Sequence, residues 1–405
     1  MRVLHIITGL GVGGAEEQLR LLLRHLPAHS VHGEVVTLTT PGAVAEGISA
    51  DGTRVTHLGM AGNRDLSALP RLVRLVRAGG YDLVHTHLYR ACVYGRIAAR
   101  LAGVRTVVAT EHSLGEHLLE GRPLTPAVRA LQLATERLGT TTVAVSGTVA
   151  DRLRRWGVPE ARLCTVPNGI DAARFRFDPA VRDAVRQRLD LPPDAFVVAG
   201  VGRLVAGKRF DTLVDAVAEV PGARLLLAGY GPERPALRAR AAARGVADRV
   251  LLLGECAGGL GGGPDRTAEA PDVPGVLAAA DVFVSPSEEE SFGLAALEAL
   301  AAGLPVLYAA CPAIEELPHE QAPGARRFAG PSGQADALRA VRAAGPLRLP
   351  VPPVVRRYDI VHCAERLARV YRSALGTCPR GAGSGPKAAG AVPSPPAHDS
   401  PLTSR

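Results

Sequence analysis

Along the first 146 residues, short apolar runs alternate with longer segments whose apolar positions recur every three or four residues. RVLHIIT (2–8), GEVVTLTT (33–40), DLVHTH (82–87), RTVVAT (105–110) and TTVAVS (141–146) predict strands. Continuous apolar runs bounded by glycine and polar turns are expected of parallel strands covered on both faces. Between them, AEEQLRLLLRHL (15–26), ALPRLVRLVRAG (68–79) and YGRIAARLAG (94–103) carry the helical period. This is a doubly wound α/β pattern. A Pro-, Asp- and Arg-rich stretch, 166–196, reads as a connector. The alternation then restarts with FVVAGVGR, RLLLAG, RVLLLG, DVFVSP and LPVLYAA. The reading is two Rossmann-like α/β domains, 1–168 and 169–355, facing a cleft where a ligand is favoured. Residues 356–376 read as one last amphipathic helix. The Pro/Gly/Ser-rich tail, 377–405, reads as disordered.

Composition narrows the partners. The chain has 405 residues and a net charge of +8, which favours anionic partners: nucleic acid, phospholipid or a phosphorylated small molecule. Nucleic acid is the weakest of these, because arginines are spread along the chain without a basic run or interleaved aromatics. The six cysteines lack CxxC spacing and read as buried thiols of a reducing, cytoplasmic compartment. MRVLHIITGL breaks into glycine too early for a signal peptide. The apolar stretch 292–311 contains Glu298 and a Gly-Leu-Pro break, so it reads as helix, turn and strand rather than a membrane span.

Four groups of residues carry candidate chemistry. Gly9, Gly11 and Gly14 after the opening strand satisfy GxGxxG, but the second strand ends in TLTT, with Glu34 at its start. A nicotinamide dinucleotide needs an acid at that strand's end, so the NAD-dependent oxidoreductase reading is weak. A glycine turn entering a helix still lets backbone N–H groups approach an anion, or is simply a tight βα turn. Next, Arg203 and Lys208 follow the strand FVVAGVG, at the strand end where open α/β sheets bind ligands. Lys208 is one of only two lysines among 47 basic residues. A fork and a point charge five residues apart can grip a diphosphate, although two cations in a loop are usually solvated. In SPSEEESFGLAALEAL, Glu290 precedes a predicted helix and Glu298 lies two turns along it. Acids at a helix start account for Glu288 and Glu289 but not for Glu298 in an apolar helix. Finally, His85, His87 and His112 end successive strands; buried polar packing competes with function for His85, and His112 enters a long loop. There is no DxD and no clustered His/Cys set, so no metal is expected.

Taken together, GLGVGGAE, TEH, VPNGID, VGRLVAGKRFDTLVDA, LAGYGPERPAL and VPGVLAAADVFVSPSEEESFGLAALEALAAGLPV resemble the retaining glycosyltransferases of family 4, which have the GT-B fold. The resemblance runs over about residues 1–375. It implies transfer of a sugar from a nucleotide-diphosphate donor, UDP- or GDP-linked, to a glycan, lipid-linked or small-molecule acceptor, with no cofactor. It implies that Arg203 and Lys208 bind the diphosphate, Glu298 the ribose, and Glu290 and His112 the donor sugar. Backbone N–H groups of Phe292, Gly293 and Leu294 would meet sugar and phosphate, and Gly13 and Gly14 would lie beside phosphates and acceptor. The last helix would cross back to the first domain, with a hinge at 166–170 and 355–360. A non-catalytic module that kept the fold is the other reading. Arg20, Arg24, Arg71, Arg74 and Arg77 lie on helices that either touch anionic lipid at the inner membrane face or are simply solvated. The Gly-rich insertion at 256–271 and the irregular stretch 320–355 have no assigned role.

Overall fold

The structure, a computed structural model, describes residues 1–62, 65–116, 118–120, 122–256 and 271–376. The first sheet holds β1 (Arg2–Ile7), β2 (His32–Thr37), β3 (Val55–His57), β4 (Leu83–His87), β5 (Val107–Glu111), β8 (Thr141–Ala144) and β9 (Leu163–Thr165). All seven are parallel, in the order β3-β2-β1-β4-β5-β8-β9. A small antiparallel hairpin, β6 (Leu118–Leu119) and β7 (Arg122–Pro123), stands outside it. The second sheet holds β10 (Val197–Val201), β11 (Arg224–Ala228), β12 (Val250–Gly254), β13 (Val282–Ser285), β14 (Val306–Tyr308) and β15 (Ala325–Arg327). It too is parallel, in the order β12-β11-β10-β13-β14-β15. Central strands are buried along their length, which is why their sequences read as unbroken apolar runs.

Three expectations are corrected. The presumed connector contains a helix, Pro179–Arg188, begun by Asp178, whose side chain accepts from the Ala180 N–H. Arg182 and Arg186 of that helix both reach Asp281, which tethers it to the second domain. The irregular stretch 320–355 holds the closing βα unit, β15 followed by the helix Gly330–Ala344. The single last helix is two: Pro353–Arg357, then Ile360–Ala374, whose N-terminus is capped by Asp359 accepting from the Val361 N–H. An aspartate in extended conformation stops one helix and starts the next.

The helix Ile360–Ala374 packs on the first sheet's side of the molecule, with Ile360, Leu367 and Tyr371 against Val3, Leu22, Leu83 and Val143. Where the chain passes between the halves, Ile170 and Asp359 form a parallel bridge. The Ile170 N–H donates to the Tyr358 carbonyl at 2.9 Å, and the Ile360 N–H to the Ile170 carbonyl at 3.0 Å. The segments 257–270 and 377–405, which include most of the glycine-rich insertion and the whole expected tail, lie outside the described residues.

Candidate active site

Both sheets point the carboxyl ends of β1, β10 and β13 at one cleft of roughly 660 Å³, a size suited to a small-molecule ligand. The glycine loop forms one wall. The helix Gly14–His25 starts there without a side-chain cap from Gly13, and the Glu16 carboxylate accepts from its own backbone N–H in that first turn. Gly14 faces the opposite domain so closely that an added Cβ would lie 3.2 Å from Leu294 Cδ1. Gly13 lines the same wall.

Arg203 and Lys208 enter the cleft from the loop after β10. Lys208 ends a short 3₁₀ turn, Ala206–Lys208, and Arg209 after it is left-handed, with φ +52°. That turn is clamped to the acidic loop after β13. Lys208 Nζ donates to Glu290 Oε1 at 2.5 Å, and Arg209 pairs with Glu288 at 2.7 Å. Glu289 pairs with Arg152 of the first domain at 2.9 Å. The three acids are therefore not merely the charged start of a helix: that helix begins only at Leu294, too far along for its dipole to account for them. Arg203 has no hydrogen-bond or ion-pair partner among the described residues. It is the exposed cation of the cleft.

Gly293, at φ +107°, turns the chain into the helix Leu294–Ala301. An added Cβ there would lie 2.4 Å from Cys311 Sγ, so only glycine fits. Phe292, Gly293 and Leu294 line the cleft at this turn. Because the helix starts late, Glu298 sits just past its first turn and not two turns along. Burial pushes its carboxyl up to about 7, against the pull of Arg174.

His112 follows β5 onto the cleft wall. His85 and His87 lie behind it in the sheet, fully buried. Sequence spacing hid their partner His5, 82 residues from His87, which joins them through the pairing of β1 with β4. The expectation of no clustered histidines is thus corrected. Ring nitrogens of His5, His85 and His87 lie within 4.8 Å of one another. Hydrogen bonds already engage them: His5 with His87 at 3.1 Å, and His85 with Tyr371 and Thr110 at 2.6 and 2.7 Å.

The residues that the resemblance assigns to the site line this cleft, whereas His85 and His87 do not, and the structure adds others. Glu16, Glu17 and Gln18 open the helix behind the glycines and face it. Burial raises the Glu16 carboxyl to about 6, while Arg203 nearby draws it down. Gln18 ties the wall to the interdomain crossing by accepting from the Gly169 N–H at 2.9 Å. Leu88, a non-glycine at φ +72°, stores strain at the cleft edge. Only the charged pair in GGAEEQ could have pointed to these residues beforehand.

The profile described as Glycosyltransferase Family 4 matches residues 12–174, and that of Glycosyl transferases group 1 matches 195–343. A GDP-mannose:cellobiosyl-diphosphopolyprenol alpha-mannosyltransferase of Komagataeibacter xylinus is 30% identical over 93% of this chain and 94% of its own. The chain belongs to the family 4 glycosyltransferases. Another similar member is a D-inositol 3-phosphate glycosyltransferase of Salinispora tropica, 32% identical over 74% of this chain and 67% of that protein. Other alignments to proteins of that name take in as little as 52% of the relative. Among solved structures, HepE of Anabaena, in complex with UDP and glucose, superposes with a TM-score of 0.77 at 21% identity, covering 92% of this chain and all of its own. The two parallel sheets are those of the GT-B fold. For this glycosyltransferase the dinucleotide reading lapses on geometry as well: Glu34 pairs with Arg2 and accepts from the Tyr81 hydroxyl, away from the cleft.

Proposed function

We propose that the chain transfers a sugar, with retention at the anomeric carbon and without a metal, from a UDP- or GDP-linked donor to a hydroxyl of a cell-envelope glycan or lipid-linked acceptor. Residues 1–168 would hold the acceptor and 169–355 the donor. The observation that carries this reading is the meeting of Arg203, Lys208 and Glu298 with the glycine loop of the other domain in one cleft.

In this reading the diphosphate displaces Glu290 from Lys208 and is gripped by Lys208 and Arg203. Glu298 accepts from the ribose hydroxyls, and His112 meets the sugar. As the bond from the anomeric carbon to the phosphate oxygen breaks, negative charge grows on the diphosphate. Lys208, Arg203 and the N–H groups around Gly293 are fixed to receive it. The acceptor oxygen bonds the anomeric carbon on the same face, and its proton passes to the leaving diphosphate oxygen. No protein acid is needed. Glu290 stabilises the positive character of the sugar. The mannosyltransferase relative and the UDP complex of HepE support a nucleotide donor of either base.

No helix among the described residues is long and apolar enough to cross a membrane. Of the arginines that could meet lipid, Arg20 and Arg24 clasp Asp51 and Arg77 donates to the Leu101 carbonyl. Arg71 pairs with Asp65 at 3.8 Å, so we propose cytoplasmic-face contact with anionic lipid through Arg74, to be checked by vesicle co-sedimentation at low salt.

The deciding experiment is thermal stabilisation across UDP, GDP, ADP, TDP and NAD. A ligand at 100 times its dissociation constant adds about 2.7 kcal/mol. A shift with one nucleoside diphosphate, lost in Glu298→Ala, supports transfer. Stabilisation without turnover of the matching nucleotide sugar would favour the non-catalytic module, and a shift with NAD alone would overturn both.

A further inference from the structure

Behind His112 runs a line of imidazoles. His112 Nε2 is 3.0 Å from His87 Nδ1, and His87 Nε2 is 3.1 Å from His5 Nδ1. The two outer nitrogens, His112 Nδ1 and His5 Nε2, are buried and have no partner among the described residues. Burial drives all three rings well below the usual histidine range, to about 4 for His112 and about 3 for His5, so they are neutral. A neutral imidazole carries one proton, so a line of three has two states, with every proton facing one way or every proton facing the other.

The ends decide between them. His5 Nε2 lies beside Gly33, 3.3 Å from where a Cβ on that glycine would stand, with the Leu23 side chain on the same spot. A proton there would be an orphaned donor in an apolar site, which costs more than a bare acceptor. His112 Nδ1 is also covered in the ligand-free chain, but His112 lines the cleft and His5 does not, so of the two ends this is the one that a bound ligand can meet. We propose that His5 and His87 are positioning residues. They hold His112 as the Nδ1–H tautomer, so that it presents a hydrogen-bond donor, and not an acceptor, to a sugar oxygen in the cleft. In this arrangement His5 Nδ1–H donates to His87 Nε2, and His87 Nδ1–H donates to His112 Nε2. The role given to the sugar rests on the transfer reading above; the protonation pattern does not.

The pattern is read directly from long-range ring proton–nitrogen correlations of the full chain with labelled histidine, the His112 signals being identified by their loss in His112→Gln. The expected result at neutral pH is His112, His87 and His5 all protonated at Nδ1 only. Protonation of His112 at Nε2, or a charged His112, overturns the proposal. Asparagine places an amide near Nδ1 of histidine, whereas leucine offers no donor. His87→Leu should therefore release His112 into a mixture of tautomers and lower kcat by about tenfold, the scale of one hydrogen bond. His87→Asn should restore the tautomer and most of that loss. Equal tautomers and equal kcat in the two variants overturn it. Because the ring spectra need no substrate, absence of turnover in the wild type would sink the transfer reading alone.

Discussion

At the scale of single residues, the cleft holds charges in places where their absence should be measurable. In the proposed transfer, Lys208→Ala would remove a preorganised cation from the leaving group. The expected loss is on the order of 3 kcal/mol, roughly two orders of magnitude in kcat, read by steady-state kinetics with the donor identified by thermal shift. Glu298 makes a prediction in pH. Its carboxyl titrates from about 4.5 in the unfolded chain to about 7 in the fold. The folded chain thus holds a proton that the unfolded chain gives up. The stability this lends is fully present below about pH 4.5 and is lost as pH rises through about 7. Glu298→Gln should therefore melt higher than the wild type at pH 8, by on the order of 2 kcal/mol, and close to it at pH 4.5. If Glu298 holds the ribose as proposed, its ionised form is the acceptor, so nucleotide affinity should rise from pH 6 to 8 in the wild type. Calorimetric titration of Glu298→Gln should show weak binding without that rise.

At the scale of elements, glycine positions govern how closely the walls approach. Gly293→Ala forces a side chain into φ +107° and onto Cys311. It should lower stability by at least about 1 kcal/mol and weaken donor binding by displacing the N–H groups of the turn, both visible in melting curves with and without nucleotide. The same scale shows what the sequence could reveal. Buried central strands announce themselves as apolar runs, and FVVAGVGR and DVFVSP fall on β10 and β13. The strands β3, β9 and β15 are three residues long and lie at sheet edges, so no apolar run marks them. Local motifs around 201–216 and 273–306 named residues that line the cleft, because each motif lies in one continuous stretch. His87 and His112 stood out as histidines at strand ends, but their link to His5 escaped notice because it depends on the pairing of β1, β4 and β5. Pairing between distant strands is not written in any single window of sequence.

At the scale of the whole molecule, polar contacts bridge the cleft's far rim. Glu316 of the second domain accepts from the Gly147 and Thr148 N–H groups at 2.9 and 2.8 Å, at the start of a first-domain helix. Glu289 reaches Arg152 of the same helix. Removing both acids should let the halves swing apart about the paired crossing at Ile170 and Asp359. The ligand-free Glu289→Ala/Glu316→Ala protein is expected to show a larger radius of gyration by small-angle scattering, with saturating nucleotide restoring the compact value. An unchanged radius would mean that these contacts do not hold the cleft shut.

The docking of Ile360–Ala374 on the first sheet also orders events during synthesis. Val3, Leu22 and Leu83 leave the ribosome before the second sheet, yet the side chains that cover them, Leu367 and Tyr371, are made only after it. Throughout that interval the nascent first domain carries an uncovered apolar groove, while everything needed for the second sheet is completed in turn. The first-sheet half is therefore completed only after the second. A ribosome stalled before residue 360 would hold a chain whose opening domain is the part a chaperone should grasp.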